Sequence, residues 1–340
     1  MKSQLQATSA RRTHRDSTGR GAARSAPAAT LAVMVMLGLL GLPASADGPS
    51  KDPPKPKLRL LFSNSLFRTV NRDDVLAAFK VWTQTVLKNR GLPLEPEIDS
   101  YDRLDEAEQR IKEAAADLVI FNSMEYLQTT QANRLDAVFV AEHHQKTVFD
   151  DYLLVSRGDQ RPAGLAALRG KSVMFFQYGA DLGRLWMEVL LGEAGLGSIG
   201  AFFGANSDAA KPGSVVLPVF FGKFDACVVN RSGLEIMQEL NPQLARQLRV
   251  LTNSSCLPES VICLHKSYNE DREEVLRGLA ELHTEPRGQQ LLLIFKIDKL
   301  VPFKPEHLDT LRELKARYDR LRPPATPRGT VAVSTGKPKS

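Results

Sequence analysis

A short segment of the chain returns about a hundred residues later. Asp117 to Asn122 reads DLVIFN and Asp225 to Asn230 reads DACVVN, so each copy places four apolar residues between an aspartate and an asparagine. Such a run is typical of a strand buried on both faces, as parallel sheets require. Ligands bind where such strands end in open α/β sheets. The repeat therefore predicts two α/β units that face one crevice, unless both copies are ordinary junctions between a strand and a helix cap.

The N-terminus resembles a secretory signal peptide. Five arginines precede an apolar run from Ala28 to Leu42, which ends in the small residues of Pro43 to Ala46. The run is short for a membrane-spanning helix, and small residues here are typical of a signal-peptidase site. We predict a signal peptide at residues 1–46 and a periplasmic protein; a retained membrane anchor is the alternative. No apolar residue soon follows Arg11-Arg12, which favours Sec export over the twin-arginine route.

Removal of this leader takes away most of the positive charge. The full chain has 45 Lys and Arg against 39 Asp and Glu, a formal charge of +6. The leader holds one Lys, five Arg and one Asp, so the mature chain keeps 39 basic and 38 acidic residues and a charge of about +1. A nearly neutral protein has no electrostatic reason to bind nucleic acid or an anionic membrane, and we expect neither as a partner.

Hydrophobic periodicity divides the rest of the chain into an α/β protein of two lobes. Strands and helices alternate in two successive sets, and then a strand at 260–264 and three helices follow with no further strand signal. A chain that crosses to a second lobe and returns has two linkers, which form a hinge. We place these linkers near Thr147 and Leu257. The predicted segments are a linker rich in Pro and Lys at 47–57, lobe 1 at 58–145 and 260–320, lobe 2 at 150–255, and a disordered tail at 322–340.

Several phrases of the mature chain occur together in one known family. They are LRLLFSNSLF, YDRLDEAEQRIKEAAADLVIFN, DDYLLVSRGDQRPAGLAALRGKSVMF and GKFDACVVN. In order and spacing they resemble the exported solute-binding proteins of ABC transporters, and among these the phosphate-, phosphite- and phosphonate-binding group. The resemblance implies a type II periplasmic-binding fold, in which two lobes, each a mainly parallel sheet flanked by helices, close on a small solute.

The resemblance also implies that four loops contact the ligand. Their residues are Asn64, Ser65, Asn122, Ser123, Tyr126, Tyr178, Gly179, Ala180, Asp181, Asn230 and Arg231. Each has a structural alternative, because asparagine is common in turns and caps and the tyrosines could be packing residues. An arginine in the first turn of a helix opposes the helix dipole, so Arg231 is expected to have a compensating partner, and an anionic ligand is one candidate.

The loop from Tyr178 to Gly183 departs from the family pattern. Relatives usually place serine and threonine hydroxyls here, whereas this chain reads YGADLG. We predict that Asp181 caps the next helix and so occupies the amides that an oxyanion would use. Its charge would also repel a dianion. This predicts weak binding of phosphate and simple alkylphosphonates, and a preference for a solute that offers an amine or hydroxyl to Asp181, with Arg231 or Tyr126 meeting any acidic group.

The remaining motifs predict no cofactor or metal. Gly195, Gly197 and Gly200 spell GxGxxG, but they follow a helix rather than a strand, which a dinucleotide site would require. The His143-His144 pair and the group of Cys256, Cys263 and His265 lack a standard zinc spacing.

The three cysteines allow at most one internal disulfide. Cys227 lies in the buried repeat strand, so the predicted pair is Cys256 with Cys263, which would close a loop of about eight residues and brace the returning linker. Three free or buried thiols are the alternative.

Together these features predict a monomeric, non-catalytic periplasmic protein. It closes on a small polar solute, with a phosphonate or another oxyanion as one option, and delivers it to the permease of an ABC transporter. A ligand-sensing subunit for a membrane signalling protein is the alternative, because both roles use lobe closure. An exported enzyme on the same fold is less favoured, since no nucleophile–base pair, carboxylate dyad or metal set is visible.

Overall fold

The computed structural model describes residues 55–67, 71–143, 146–159 and 164–321. The chain divides into two units, Met1–Asp52, which lies outside the described residues, and Pro53–Ser340, which holds every element described below. The predicted signal peptide, most of the 47–57 linker and the 322–340 tail therefore lie outside the described residues. Within those residues, no helix combines the length and apolar character needed to cross a membrane.

The described residues form thirteen strands and eleven α-helices. The strands are β1 (Lys57–Ser63), β2 (Glu95–Tyr101), β3 (Leu118–Asn122), β4 (Leu135–His143), β5 (Phe149–Asp150), β6 (Tyr152–Arg157), β7 (Ser172–Phe176), β8 (Ala205–Ala209), β9 (Ala226–Asn230), β10 (Leu248–Asn253), β11 (Leu257–Pro258), β12 (Ser260–His265) and β13 (Ile297–Pro302). The helices are α1 (Arg72–Asn89), α2 (Leu104–Lys112), α3 (Ser123–Gln128), α4 (Leu182–Glu193), α5 (Ile199–Phe202), α6 (Pro212–Phe220), α7 (Arg231–Leu240), α8 (Pro242–Gln247), α9 (Arg272–Ala280), α10 (Pro286–Ile294) and α11 (Asp309–Leu321).

Two sheets carry the fold, and their central strands have the same arrangement. Sheet 1 has the order β13-β4-β12-β3-β1-β2, and sheet 2 has the order β10-β6-β9-β7-β8. Each contains three parallel strands, β2-β1-β3 in sheet 1 and β8-β7-β9 in sheet 2. The first long strand after each crossing between the sheets pairs antiparallel with a repeat strand. In sheet 2 β6 pairs with β9, and in sheet 1 β12 pairs with β3. This matches the predicted α/β architecture.

The repeated segment forms the same structure twice. The Asp117 carboxylate accepts a hydrogen bond from the backbone N–H of Arg59 in β1, and Asp225 accepts one from that of Ser172 in β7, both at 2.8 Å. Burial alone would raise the pKa of Asp225, but the hydrogen bonds from Ser172 and the nearby Lys171 charge together lower the pKa. Each aspartate therefore anchors the start of the neighbouring strand, and the asparagine at the other end begins a helix, as predicted.

Alternation along the strands divides the core. In β3, Val119 and Phe121 pack into one hydrophobic cluster, while Leu118 and Ile120 pack into another on the opposite face of sheet 1. Every residue of β3 is buried. A strand covered on both faces leaves its carboxyl end as the place where side chains can meet a ligand, and this positions the site described below.

The last helix packs against the second sheet's helical layer. Leu311 and Leu314 of α11 are buried in the cluster that includes Trp186 and Met187 of α4, and Arg317 of α11 donates two hydrogen bonds to Glu193 of α4. The same cluster also contains Val119 and Phe121 of sheet 1, so α11 packs into a core that both sheets share, and the predicted assignment of residues 260–320 to lobe 1 stays a prediction. The other predicted lobe boundaries stay a prediction.

The predicted disulfide between Cys256 and Cys263 is contradicted. All three cysteines, each in the described part of the chain, are free thiols. Cys263 lies opposite Val119 inside sheet 1, whereas Cys256 is exposed before β11. Residues 257–258 and 260–263 lie in strands, which rise about 3.3 Å per residue, whereas a disulfide needs Cα atoms within about 7 Å of each other. The prediction failed because the chain between the two cysteines is extended.

Candidate functional site

A cleft of about 460 Å³ lies where loops of the two sheets meet. Its lining comes from the carboxyl ends of β1, β2 and β3 in sheet 1 and from the loop after β7 in sheet 2. Six of the eleven candidate residues line it, namely Asn64, Ser65, Asn122, Gly179, Ala180 and Asp181. The structure therefore brings together three of the four loops that were expected to contact a ligand, in the position that α/β sheets use for binding.

Glu125 organises the sheet 1 side of this cleft. Its carboxylate accepts hydrogen bonds from the Ser63 hydroxyl at 2.9 Å, the Tyr101 hydroxyl at 2.9 Å and the Asn122 backbone N–H at 3.1 Å. The Asn122 side chain accepts in return from the Glu125 N–H, which completes a capping box at the start of α3. Burial and the neighbouring Glu125 charge raise the pKa of Tyr101. Glu125 thus fixes the ends of β1, β2 and β3 relative to one another.

The remaining polar groups of this side are linked to that network. The Asn122 amide donates to the Ser65 hydroxyl at 2.9 Å, and the Asn64 amide donates to the Asp102 carboxylate at 2.8 Å. The side-chain oxygen Oδ1 of Asn64 is buried and has no hydrogen-bond partner within the described part of the chain. A buried acceptor of this kind is suited to a ligand N–H or O–H group.

Asp181 does not cap α4 in the way the sequence predicted. It has φ 52° and ψ 38°, in the left-handed region, and its side chain makes no capping hydrogen bond to the described backbone. An N-cap side chain reaches the first-turn amides from extended backbone, so a left-handed residue directs its carboxylate elsewhere. Asp181 lines the cleft instead. The prediction that its carboxylate occupies the helix amides is therefore wrong, whereas its place beside the cleft is observed.

The cleft carries negative charge. Asp102, Glu125 and Asp181 contribute carboxylates, and among the described residues of the lining none is Lys, Arg or His. Hydrogen bonds from the protein partly compensate Glu125 and Asp102, and Asp181 also interacts with other groups of the protein. Asp102 and Gln128 were not predicted, because no sequence pattern around them indicates a site. Glu125 could have been predicted, because Asn122 and Glu125 have the spacing of a capping box.

Two candidate residues serve the packing of sheet 1. Ser123 is fully buried, and its hydroxyl donates to the carbonyl of Pro258 at 2.7 Å, which holds the returning chain against α3. The Tyr126 ring packs between Phe121 and Phe303, with centroid distances of 6.2 and 5.9 Å. Burial raises the pKa of the Tyr126 hydroxyl. Neither residue lines the cleft.

Arg231 has the compensating partner that its position demanded. Its guanidinium donates to both carboxylate oxygens of Asp151, at 2.6 and 2.7 Å. Asp151 also accepts from Asn253 at 3.2 Å and is nearly buried. A bidentate pair of this kind satisfies the arginine within the protein, so its charge does not require a ligand.

Tyr178 and Asn230 line a second, smaller cavity of about 60 Å³. The Asn230 amide donates to Asp150 at 2.8 Å and to Ser232 at 2.9 Å. The Tyr178 ring stacks on Phe176 with centroids 5.8 Å apart. Burial raises the pKa of Tyr178, and the nearby Glu259 charge raises it further. These two candidates are therefore separated from the six that line the larger cleft.

The sequence of the chain decides its family. A family model for the periplasmic phosphonate substrate-binding proteins of ABC transporters matches residues 69–308, which is more than half of the chain. The chain belongs to this family. The family consists of solute-binding proteins of the periplasm rather than of enzymes, and its members serve ABC transporters. Among curated proteins, no match is found.

Solved structures show the same fold. XAC2383 from Xanthomonas citri bound to ATP has a TM-score of 0.57 and 17% identity, over 78% of this chain and 98% of that one. PhnD1 from Prochlorococcus marinus in complex with methylphosphonate has a TM-score of 0.53 and 15% identity, with the same coverage. A binding-protein component of an ABC phosphonate transporter from Pseudomonas aeruginosa has a TM-score of 0.54 and 12% identity, over 78% and 88%. The predicted type II periplasmic-binding fold is confirmed.

Proposed function

We propose that the protein is exported to the periplasm, closes its two lobes on a small polar solute and delivers that solute to an ABC permease. Family membership supports this role, and so does a cleft that takes its lining from loops of both sheets. The pairing of β5 with β11, near the predicted linkers at Thr147 and Leu257, supports a hinge at this place. The protein acts as a monomer without catalysis, and transport is favoured over sensing because the matched family belongs to transporters.

We infer further that the solute carries an ammonium group. The observation behind this is the set of three carboxylates in a cleft lined by no described basic residue. Two like unit charges about 4 Å apart cost about 1 kcal/mol in water and about 4 kcal/mol at an effective dielectric constant near 20. A dianion without a compensating group is therefore disfavoured, whereas an ammonium group would form charge-assisted hydrogen bonds with Asp181 or Asp102.

The other end of the solute is an oxyanion. The family match and the methylphosphonate bound to PhnD1 favour a phosphonate, and the Gln128 amide lines the cleft as a neutral polar group that can donate to it. The Asn64 carbonyl oxygen, which lacks a partner within the described residues, can accept from the ammonium group. A zwitterionic aminoalkylphosphonate satisfies both requirements.

Calorimetry tests this assignment. Wild-type protein should bind 2-aminoethylphosphonate at least about tenfold more tightly than methylphosphonate, phosphate or glycerol, since one charge-assisted hydrogen bond is worth about 1.5–3 kcal/mol. Asp181→Asn should remove most of that preference, because asparagine keeps the shape and tolerates the left-handed backbone.

Asp271→Asn is the matched control. Asp271 also precedes a helix with a left-handed φ of 50° and makes no capping hydrogen bond to described groups, and it lines none of the described cavities. The control should bind like wild type. Tight binding of methylphosphonate that Asp181→Asn leaves unchanged would overturn the ammonium assignment, and failure of every phosphonate to bind would count against the phosphonate itself.

A further inference from the structure

The second cavity lies between the two sheets and has one acidic side chain among its described lining residues. The wall on the sheet 1 side includes His143 and Glu259, and the wall on the sheet 2 side includes Phe176, Tyr178 and Asn230. The Glu259 side chain is only 10% exposed. Because the two walls belong to different sheets, a movement that separates the sheets lets water reach Glu259, and a movement that brings them together removes that water.

Glu259 is poorly compensated as an ion. Its Oε2 atom lies 3.2 Å from Nε2 of His143, but this nitrogen forms no hydrogen bond with any described group. The other ring nitrogen lies 3.3 Å from the carbonyl oxygen of Lys296. A nearly buried carboxylate is unfavourable unless it is both paired and hydrogen-bonded. The charge of Glu259 is therefore sensitive to the amount of water that its cavity admits.

The described titratable groups around this carboxyl group come from five elements or their ends. Burial has the largest effect and raises the pKa of the carboxyl group; His143 at the end of β4 opposes this, Asp150 of β5 reinforces it, and Lys296 before β13 opposes it. Two phenols also lie nearby, Tyr152 on β6 and Tyr178 after β7, and burial raises the pKa of each. The phenols stay neutral, so the acid–base behaviour of the cluster depends on the two carboxyl groups and the two cations.

Asp150 connects the first crossing to the sheet 2 side. Its carboxylate accepts hydrogen bonds from the Asn230 amide at 2.8 Å and from the Ser232 hydroxyl at 2.6 Å, at the start of α7. These bonds fix Asp150 to α7, whereas Glu259 directly precedes β12 of sheet 1. The separation of the two acidic groups therefore depends on the relative position of the sheets.

We propose that closure of the lobes on a solute is linked to uptake of a proton by Glu259, so that solute affinity rises as the pH falls. The linkage rests on the proposed function, because it requires lobes that close. Closure brings the sheet 2 wall and the Asp150 charge toward Glu259, and both changes disfavour the ionised form. The closed protein therefore binds the proton more tightly than the open protein does.

The direction of the pH dependence follows from this difference. Affinity should increase as the pH falls through the Glu259 pKa of the closed protein, and it should stop increasing below the pKa of the open protein. Each unit of separation between the two pKa values corresponds to about a tenfold change in affinity.

Calorimetry in buffers of different ionisation enthalpy measures the proton uptake on binding of 2-aminoethylphosphonate. At its maximum between about pH 4.5 and about pH 8, uptake should be larger in the wild type than in Glu259→Gln. The wild-type affinity should rise about threefold or more relative to that of the variant as the pH falls across this range. Protonation of the ligand itself is common to both proteins and cancels in the comparison.

Two further variants separate titration from loss of packing. His143→Gln should move the uptake maximum to higher pH, because His143 favours the ionised form of Glu259, whereas structural damage would lower affinity at every pH. Glu142→Gln is the matched control. Glu142 is 13% exposed and also lies beside the first crossing, but it pairs with Lys299 and lines none of the described cavities, so this variant should behave like the wild type.

Small-angle scattering tests the linkage without a solute. Because coupling is reciprocal, acid alone should compact the wild-type protein more than it compacts Glu259→Gln. Binding of 2-aminoethylphosphonate with equal proton uptake by wild type and folded Glu259→Gln would overturn the linkage and leave the proposed function intact. Failure of 2-aminoethylphosphonate to bind would count against the proposed solute, and the scattering comparison would then decide the linkage, with equal acid responses overturning it.

Discussion

His143 and Glu259 connect the two places where the chain passes between the sheets. His143 ends β4 before the first crossing and Glu259 precedes β12 after the second, and their Nε2 and Oε2 atoms lie 3.2 Å apart. The β5–β11 ribbon, formed by Phe149–Asp150 and Leu257–Pro258, lies between them along the chain. The Glu259 side chain is only 10% exposed. These two crossings are therefore linked by a nearly buried contact between an imidazole and a carboxyl group.

The first prediction is that lowering the pH stabilises the folded protein through protonation of Glu259. Burial raises its pKa above the usual value, the nearby Asp150 raises it further, and His143 and Lys296 partly oppose the shift. The folded protein then holds a proton that the unfolded chain releases, so stability falls as pH rises from the unfolded to the folded pKa. Each unit of separation contributes about 1.4 kcal/mol.

Chemical denaturation at several pH values measures this effect. The wild-type protein should gain stability relative to Glu259→Gln as pH falls through the raised pKa toward about 4.5. Glu97→Gln is the control, since Glu97 is exposed in a surface pair with Lys57 and should track the wild type throughout. Identical pH dependence in wild type and Glu259→Gln would contradict the prediction.

The second prediction assigns Arg231 to stability rather than to ligand binding. Arg231→Met should lower the free energy of unfolding by about 1–3 kcal/mol, because it leaves the Asp151 carboxylate, which is 8% exposed, without its bidentate partner. The arginine side chain is 44% exposed, so solvent screens the ion pair, and we expect a loss in the lower part of this range. Affinity for 2-aminoethylphosphonate should stay within twofold. Normal stability combined with lost affinity would return Arg231 to the ligand site.

The central strands were predictable because their sequences reflect burial. β3 and β9 are covered on both faces, so every interior residue is apolar and the polar ends stand out. Edge strands lack this signal. β8 reads ANSDA and is largely exposed, and β13 reads IDKLVP at the edge of sheet 1, with charged residues and a terminal proline. Neither β8 nor β13 was predicted. Each forms because its backbone pairs with a neighbouring strand, and such pairing requires no apolar pattern in an exposed sequence.

The site was predictable only in part, for a related reason. Asn64, Ser65, Asn122 and the loop around Asp181 follow strands, and strand ends can be located from periodicity. Which loop residues face the cleft depends on backbone conformation and packing. Asp181 adopts a left-handed conformation that its sequence position did not indicate, and Tyr126 turns toward Phe303, which lies far along the chain.

The third prediction concerns Glu125. Glu125→Gln should weaken binding of 2-aminoethylphosphonate about tenfold and destabilise the protein by about 1–3 kcal/mol, because an amide nitrogen cannot accept the hydrogen bonds from Ser63, Tyr101 and the Asn122 backbone that the two carboxylate oxygens share. Glu108→Gln is a control away from the cleft, where the carboxylate accepts from Thr129 and Thr130. The prediction fails if Glu125→Gln keeps both wild-type affinity and wild-type stability in calorimetry and urea denaturation.

The fourth prediction tests the packing beneath the sheet 2 loop that carries Asp181. A Cβ atom at Gly183 would lie 2.7 Å from the Tyr152 ring and 3.1 Å from Val228, so α4 can approach sheet 2 only with glycine at this position. Gly183→Ala should therefore destabilise the protein by about 1–3 kcal/mol, the usual cost of overpacking. It should also weaken solute binding, because the displaced start of α4 carries Asp181 with it. Gly200→Ala, for which no described atom lies within 4 Å of the new Cβ, should be neutral or slightly stabilising. Urea denaturation of both variants beside the wild type decides the matter, and equal stability of the two would show that the start of α4 can shift without cost.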